Sequence, residues 1–310
     1  MTETIDFAVP GGYELSEDRR LIDIDTGEMI EAVPTLLPNG TRIRAITPHV
    51  QERINHRRAA EARIKQIQIT NEELGKFYFV RDDLDFSGIR SETLTRVLYL
   101  YTYLTPDREI KIRRRGDALI VRGLKDALGV TKNTADAFWK EVDGVFFVEE
   151  DGKIYGLCNK SIFSGKIKWK KDDTAFYQRV YRDGVRKLYK ATRPSQHKQL
   201  GHVLAMLPYI NHEYNVLCKN PDETDKDCIE VMSLMEFGQM IKYDESNLSR
   251  LRKSLASIRF IPEGKDKKEP FVAFVQTGNG ASDVKIVVNP RIIYGGQDYK
   301  KVEAFELFFK

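Results

Sequence analysis

The chain has little of what marks secreted, membrane-spanning or metal-binding proteins. Its 310 residues include only three cysteines, an odd and sparse set that indicates a reducing compartment. No hydrophobic run approaches the length of a membrane span, and the opening MTETIDFAVP lacks the cationic start of a signal peptide. We therefore expect a cytoplasmic protein with no membrane partner.

Metal-ligand spacing is also missing. Cys218, Cys228 and His212 could supply part of a zinc site, but no CxxC pair accompanies them and a fourth ligand would have to come from elsewhere. The sequence therefore predicts no metal ion and no cofactor, and it assigns these three side chains no role.

Enzyme motifs are incomplete. The glycine-rich TGNGAS (residues 277–282) lacks the lysine of a phosphate-binding loop. The segment QLGHVLAMLPY (199–209) resembles the LGH box of tyrosine recombinases, but Leu200 stands where the upstream His-x-x-Arg pair, starting at His197, requires arginine. His202 lies inside an apolar helical pattern, which is typical of a structural histidine. We predict no enzymatic activity, and a recombinase-like activity is the most remote alternative.

What the sequence does have is clustered positive charge. The whole chain is nearly balanced, with 50 Lys+Arg against 46 Asp+Glu. Residues 41–66, however, include seven cationic residues and only two acidic ones. Further basic clusters are REIKIRRR (108–115), KIKWKK (166–171) and residues 179–190. Such clusters are compatible with a polyanion as partner, although charge runs more often form solvated faces.

The stretch SLMEFGQMIKYDESNLSRLRKSL (233–255) predicts two short helices joined by a tight turn. Ser233 and Glu236 form a capping box before an apolar face that stops at Lys242. Asp244 or Ser246 offers a second N-cap, and Leu248 starts a new apolar stripe that continues through residue 258. This is the sequence form of a helix-turn-helix, with a simple helical hairpin as the alternative.

The same order of elements occurs twice. In the first half we expect helices at 91–104, 124–128 and from Thr131 or Asn133 to Val142, followed by a hairpin at 145–157 around Glu150-Asp151-Gly152. In the second half a helix at 198–209 precedes the two helices described above, and strands at 271–276 and 284–290 follow them. Helix, helix, turn, helix and hairpin is the order of a winged helix.

These patterns predict an α+β, mostly helical protein with two tandem winged-helix domains and an N-terminal arm. The arm (1–71) contains a small hairpin at Leu21–Glu31 and a polar, basic helix at His49–Gln66. The predicted segments are the arm at 1–71, a first winged helix at 72–172, a connecting helix at 173–191 bent near Gly184, a second winged helix at 192–297 and a C-terminal short helix or tail at 298–310.

Several segments resemble a known family. VVNPRIIYGG (287–296), after a helix-turn-helix pattern, resembles the end of winged-helix replication proteins of small plasmids from Gram-positive bacteria. KFYFV (76–80), TLTRVLYLYTYL (93–104) and PYINHEYNVLCKNPDETD (208–225) are similar to DNA-binding proteins of phages and mobile elements of the same hosts. The resemblance implies a winged-helix DNA-binding protein in the bacterial cytosol, an initiator or a regulator. The long arm departs from the small plasmid initiators.

We therefore expect a sequence-specific double-stranded DNA-binding protein that acts in transcriptional regulation or replication-origin recognition. Recognition helices at about 132–142 and 245–257 would enter major grooves. The base-facing candidates are Lys132, Asn133, Asp136, Lys140, Asn247, Arg250 and Lys253. The phosphate-contacting candidates are Arg57, Arg58, Arg114, Arg115, Lys168, Lys170, Ser249 and Arg252.

Wings at 150–153 and 277–282 are expected near the DNA backbone or minor groove, although the acidic tip Glu149-Glu150-Asp151 argues against this for the first wing. Further partners could be a second copy of the chain, or other phage or host proteins. The alternative function is a winged-helix protein-interaction scaffold without direct DNA binding, which the near-neutral total charge and the acidic segment 222–227 favour.

Overall fold

The computed structural model describes residues 48–81, 88–112, 117–157, 162–164, 177–278, 283–296, 298 and 303–309, together with six short strands before residue 48. Over these residues the chain combines helices with small, mostly antiparallel sheets, which confirms the predicted α+β class. The chain divides into two compact units, Met1–Gln68 and Ile69–Lys310.

The first unit contains two small sheets. Its strands are β1 (Phe7–Ala8), β2 (Tyr13–Leu15), β3 (Leu21–Asp23), β4 (Met29–Ile30), β5 (Val33–Leu36) and β6 (Ile43–Ile46). Strands β2, β3 and β4 form one antiparallel sheet, and β6 pairs in parallel with β1 and antiparallel with β5. The pairing of β3 with β4 confirms the strand pair predicted at Leu21–Glu31. The predicted arm therefore contains more strands than the single hairpin that the sequence predicted for it.

A long helix, α1 (Pro48–Leu74), follows these strands. Its side chains from Asn55 to Lys65 are exposed on every side of the helix, because charged and polar residues occupy nearly every position there. The polar helix predicted at His49–Gln66 is confirmed, and it extends further than predicted.

The second unit contains the two sets of elements predicted from the sequence. We call residues 77–163 the first block. Its elements are β7 (Phe77–Arg81), α2 (Ser91–Tyr101), α3 (Leu124–Leu128), α4 (Lys132–Val142), β8 (Phe147–Glu150), β9 (Lys153–Gly156) and β10 (Ile162–Phe163). Strands β8 and β9 pair as the predicted hairpin, with Glu150 opposite Lys153.

We call residues 177–294 the second block. Its elements are β11 (Tyr177–Tyr181), α5 (Arg182–Ala191), α6 (His197–Leu204), α7 (Leu234–Met240), α8 (Leu248–Ala256), β12 (Arg259–Phe260), β13 (Glu269–Pro270), β14 (Val272–Gln276), β15 (Val284–Val288) and β16 (Ile293–Tyr294). Strands β14 and β15 form the hairpin predicted after the two helices, and β12 pairs with β13.

One four-stranded antiparallel sheet, in the order β10-β7-β11-β16, joins the two blocks. Each block pairs its own first and last strands: Val80 lies opposite Ile162 in the first block, and Val180 lies opposite Ile293 in the second. The two first strands meet in the middle, with Phe79 opposite Arg179. Exchanging the blocks maps this pairing scheme onto itself, so the sheet has an approximate twofold relation.

Helix packing repeats this relation. Helix α2 of the first block packs against α6 of the second, and Gly201 makes the close approach possible, since a Cβ atom there would lie 1.6 Å from the carbonyl oxygen of Ser91. The hydroxyl of Thr95 donates to the carbonyl of His197 at 2.8 Å. One apolar core runs through both blocks, from Tyr78 in β7 to Ile293 in β16.

A connecting helix was predicted over residues 173–191. For residues 177–181, the part before Arg182 that the structure describes, this prediction was wrong. Residues 177–181 form strand β11, because Gln178 and Val180 alternate inward and both edges of the strand find partners in the sheet. Helix α5 begins only at Arg182, and Gly184 lies in its first turn against the backbone of Arg291 rather than at a bend. The boundaries predicted at 172 and 191 therefore fall inside one compact unit.

The predicted C-terminal segment ends in a 3-10 turn, Glu306–Phe309. Phe309 is buried against Ala273 and Val287 of the second hairpin. Glu306 forms ion pairs with Lys265 at 3.0 Å and with Arg291. These contacts fix the described end of the chain to the second block.

Candidate nucleic-acid interface

In the first block, α3 and α4 are two short helices joined by a tight turn. Helix α3 ends at Gly129, whose left-handed backbone (φ 64°) suits a C-cap without a side chain. Thr131 caps α4, since its hydroxyl accepts a hydrogen bond from the backbone N–H of Thr134 at 3.3 Å. The predicted N-cap at Thr131 is confirmed.

Hydrogen bonds from the start of α2 fix the buried side of helix α4. Glu141 accepts hydrogen bonds from the guanidinium of Arg90 at 2.8 Å and from the hydroxyl of Thr93 at 2.7 Å. Burial raises the pKa of Glu141, but the hydrogen bonds from Arg90 outweigh it, and the pKa lies below its ordinary value. Ala135, Phe138 and Val142 are buried on this side, so the opposite face of α4 is presented to solvent.

The base-facing candidates of α4 lie on that solvent face. Lys132, Asn133, Asp136 and Lys140 are all exposed. The face is mixed in charge, with an acidic residue between two lysines. The predicted orientation of these residues is confirmed, and their contact with bases stays a prediction.

The second block builds the equivalent turn with stronger caps. Ser233 and Glu236 form the predicted capping box, with the Ser233 N–H donating to Glu236 at 2.8 Å and the Glu236 N–H donating to Ser233 at 3.2 Å. Lys219 lies 2.6 Å from the same carboxylate. The hydrogen bond from Lys219, together with those from Ser233, lowers the pKa of Glu236 to about 2. After α7, Asp244 caps a 3-10 turn that leads into α8.

The solvent face of α8 is cationic. Ser249, Arg250 and Lys253 are exposed, while Leu248, Leu251 and Leu255 are buried on the opposite side. Arg250 and Lys253 make no ion pair with any residue that the structure describes. Both side chains are therefore available to an external partner.

The two other candidates of this region are engaged within the protein. The Asn247 side-chain amide donates to Asp244 at 3.0 Å and to Ser246 at 3.2 Å, so it stabilises the turn before α8. The Arg252 guanidinium donates to Gln276 at 3.2 Å and lies 5.5 Å from the ring centroid of Phe274, so it fixes α8 to strand β14. Sequence spacing placed Arg252 among the phosphate candidates because spacing alone does not show which neighbour a long side chain reaches.

The two hairpins differ in charge. At the first tip, Glu149, Glu150 and Asp151 are exposed, so this hairpin presents negative charge. At the second, the backbone N–H of Thr277 donates to the carbonyl of Asp283 at 2.8 Å and closes the loop, while residues 279–282 of the predicted wing tip lie outside the described residues.

The phosphate candidates are only partly described. Arg57 and Arg58 lie exposed on α1, and Arg57 pairs with Glu61 at 2.9 Å. Arg114, Arg115, Lys168 and Lys170 lie outside the described residues. The structure therefore leaves these four as predictions.

Sequence reasoning missed a group of cations behind α4. Arg90, Arg96 and Lys198 line one cleft together with Asn133 and Thr134 of the first turn of α4. Arg96 interrupts an apolar helix, SETLTRVLYLY, and is only 5% exposed. A cationic residue in the middle of an apolar helix was the available indication, but the cleft itself forms from segments distant in sequence.

The residues considered for catalysis and metal binding have structural contacts. Nδ1 of His202 lies 3.0 Å from the Ser91 hydroxyl, where α6 crosses α2. Burial raises the pKa of the Cys218 thiol to about 11. Within the described residues, no group of three or more His, Cys, Asp and Glu side chains is arranged to hold a metal ion. None of the described helices is long and apolar enough to cross a membrane.

Comparison of the chain with protein-family models, curated proteins and solved structures finds no match. The resemblance to plasmid replication proteins and to DNA-binding proteins of phages therefore stays a prediction from the residues that carry it.

Proposed function

We propose that this protein binds double-stranded DNA in a sequence-specific manner, with each block acting as a winged helix. The observation that carries the proposal is the repeated arrangement in one compact unit. Each block has two short helices joined by a turn, the second with an exposed polar face, and each is followed by a hairpin. A scaffold that repeats such an element on one core suits a target that is itself repetitive.

Helices α4 and α8 are the recognition helices in this proposal. Arg250 and Lys253 on α8 are exposed cations without an acidic partner among the described residues, and arginine donates in bidentate fashion to the edge of guanine. Lys132, Asn133 and Lys140 on α4 provide weaker and more mixed contacts. We therefore assign most of the sequence discrimination to α8.

The approximate twofold relation of the sheet has a consequence for the DNA site. Two recognition helices related by a twofold fit two half-sites in inverted orientation, as in symmetric dimers. Here one chain carries both helices, and their side chains differ. The proposed site is therefore an imperfect inverted repeat bound by a single chain.

The biological role we propose is transcriptional regulation or replication-origin recognition in a phage or mobile element. This part of the proposal is supported by the resemblance of residues 287–296 and of the segments around 76–104 and 208–225 to proteins with those roles. A second copy of the chain, or another phage or host protein, is a further proposed partner.

One observation favours a second candidate, a protein-interaction scaffold. The exposed acidic tip of the first hairpin repels DNA phosphates and suits a basic protein surface instead. The two candidates differ in salt dependence, since DNA binding weakens steeply with salt through counterion release.

Selection from a random duplex pool, followed by footprinting on the selected sequence, tests the proposal. We expect enrichment of one motif with two inverted half-sites and a steep loss of affinity with salt. The proposal would be contradicted if no sequence is enriched and the protein is also not retained on random duplex at roughly 50 mM salt, where even non-specific DNA binding persists.

A further inference from the structure

A cleft of about 480 Å³ lies at the junction of the two blocks, behind the first turn of α4. Helix α2 supplies Arg96 to its wall, α4 supplies Asn133 and Thr134, and the segment before and at the start of α6 supplies Ser195 and Lys198. Both blocks therefore contribute residues to the cleft.

Arg96 is the unusual residue of this cleft. It is 5% exposed, and among the described residues no acceptor reaches its Nε atom. Burial lowers the pKa of Arg96, yet an arginine remains protonated in proteins. A buried guanidinium normally has an anionic partner, because leaving one unpaired costs free energy.

The neighbours of Arg96 offset its charge only in part, because the carboxylates of Glu92 and Glu141 attract it but neither forms an ion pair with it among the described residues. Burial, together with the charge of Arg96, lowers the pKa of His197 to about 4, so this imidazole is neutral near pH 7. The Tyr189 phenol is hydrogen-bonded to the Arg96 side chain, but it is neutral as well, since burial raises its pKa. Glu92 lines the cleft, but its carboxylate pairs with Arg90 at 3.7 Å. Arg90 also pairs with Glu141 at 2.7 Å.

Two further groups add positive potential. Lys198 is exposed at the cleft and makes no ion pair with the residues that the structure describes. In the first turn of α4, an 11-residue helix, the N–H of Thr134 is capped by Thr131, whereas the N–H groups of Lys132 and Asn133 have no intrahelical acceptor and lie at the positive end of the helix dipole. The cleft thus combines a buried cation whose Nε atom has no acceptor among the described residues, an exposed cation and a helix N-terminus.

We propose that this cleft binds a phosphate-class oxyanion, held by Arg96, Lys198 and the first turn of α4 at Asn133. The anion is either a backbone phosphate of bound DNA or the phosphate of a free small molecule. Only the first source rests on the proposed DNA-binding function. The fork of Arg96 and the helix N-terminus recognise the same phosphate chemistry in both cases.

The first experiment uses inorganic phosphate and the full chain. Melting temperatures are compared in sodium phosphate and in sodium chloride at equal ionic strength and pH 7, for the wild type, Arg96→Met, Lys198→Met and the control Arg122→Met. Phosphate stabilises most proteins by exclusion from their surface. The control, an exposed arginine in another part of the block, shares that general effect, so the signal is the difference between variants.

We expect the wild type and Arg122→Met to melt about 5 °C higher in phosphate, given roughly millimolar affinity. Arg96→Met should lose most of that rise, because the buried guanidinium that would hold the anion is gone. Lys198→Met should lose about half of it. An equal rise in all four proteins would overturn the proposal. If Arg96→Met fails to fold, Lys198→Met tests the proposal instead, since Lys198 is exposed. A melting-temperature rise in phosphate that equals that of the wild type would then overturn the proposal.

A second experiment separates the two sources. If the anion is a DNA phosphate, Arg96→Met should weaken binding to specific and random duplexes alike and reduce the salt slope by about one. If it is a free ligand, Arg96→Met should leave both unchanged while the phosphate-dependent melting rise is still lost. A protein that binds no DNA at all refutes the proposed function, and the melting comparison still tests the cleft.

Discussion

The first and second blocks share a first strand, a pair of short helices, a hairpin and a last strand, although the second adds helix α5 and the pair β12–β13, and they differ in the charge they present. The first block exposes a mixed face on α4 and an acidic hairpin tip at Glu149–Asp151. The second exposes Arg250 and Lys253 on α8, and Arg252 fixes that helix to its hairpin. One sheet and one core are common to both blocks, so the difference in charge lies in their surface side chains.

This difference implies a division of labour. A helix with unpaired cations and a rigid attachment to its hairpin is suited to base recognition, since preorganised donors lose little entropy on binding. A helix with mixed charge beside an acidic tip is suited to weaker contacts. If the protein binds DNA as proposed, the second block would specify the DNA sequence, and the first block would position it.

The largest expected effect comes from breaking the frame that both blocks share. Gly201→Ala introduces a Cβ atom against the backbone of Ser91, where neither helix can give way, so we expect a loss of about 3 kcal/mol in the free energy of unfolding. The matched control is Gly123→Ala, whose Cβ atom would meet only ordinary contacts at 3.5 Å and beyond. Urea denaturation measures both.

The same experiment tests whether the blocks unfold together. The chain has two tryptophans, so in a Trp169→Phe background the fluorescence of Trp139 reports on the first block, and far-ultraviolet circular dichroism reports on the whole chain. We expect coincident transitions over the second unit. A fluorescence transition that stays at its wild-type urea midpoint in Gly201→Ala would show that the first block is stable without the second.

The second effect sharpens the comparison at the level of sequence discrimination. Arg250→Ala should lower affinity for the selected site by about 1–3 kcal/mol while leaving random-duplex binding nearly unchanged, because a bidentate contact to guanine is lost. Fluorescence anisotropy with both duplexes measures it, and Lys140→Ala is the corresponding change on α4. Equal losses on both duplexes would show that Arg250 contacts only phosphate.

A smaller effect concerns the cap that positions the second block's helices. Glu236 has a pKa of about 2 in the folded protein, against roughly 4.3 when unfolded. Its carboxylate therefore adds stability above pH 4.3, and this contribution disappears as the pH falls toward 2. Glu236→Gln should lose about 1 kcal/mol at pH 7 and flatten the acid limb of the stability curve.

Urea midpoints between pH 2 and 7 measure this dependence. The exposed Glu230→Gln provides the control, because its side chain takes no part in the capping box. An acid limb of unchanged steepness in Glu236→Gln would place the pH dependence elsewhere.

The smallest effect concerns the acidic hairpin of the first block. Replacing Glu149, Glu150 and Asp151 by Gln, Gln and Asn should raise the affinity for random duplex roughly two- to fivefold at low salt. The reason is that the hairpin loses the negative charge that repels the DNA phosphates. The gain should vanish at high salt. No change at any salt concentration would place this tip away from DNA and strengthen the protein-scaffold alternative.

Local structure was predictable from sequence because its causes are local. The caps at Thr131 and Ser233 and the turn at Asp151-Gly152 act over a few residues, and each is present in the structure. The joining sheet was not predictable. Strands β10 and β16 have only two residues each, which is too short for an alternating pattern. The pairing of β7 with β11 joins segments far apart in sequence, so neither segment alone predicts it.

The candidate site divides in the same way. The solvent faces of α4 and α8 followed from helical periodicity, so Lys132, Asp136, Arg250 and Lys253 are exposed as expected. The roles of Arg96 and Arg252 did not follow, because each depends on a neighbour brought close only by folding.

The measurement that tests the central claim most directly is the spacing of the two half-sites. The proposal requires that the shared sheet and core hold α4 and α8 at one distance, and one chain should then tolerate a single spacing. Inserting either five or ten base pairs between the half-sites should lower the affinity about 10²- to 10⁴-fold. This loss equals the whole gain in affinity that joint binding of both half-sites provides. Recovery with ten base pairs, which restores the groove face after about one helical turn, would show that the blocks move independently and would contradict the account.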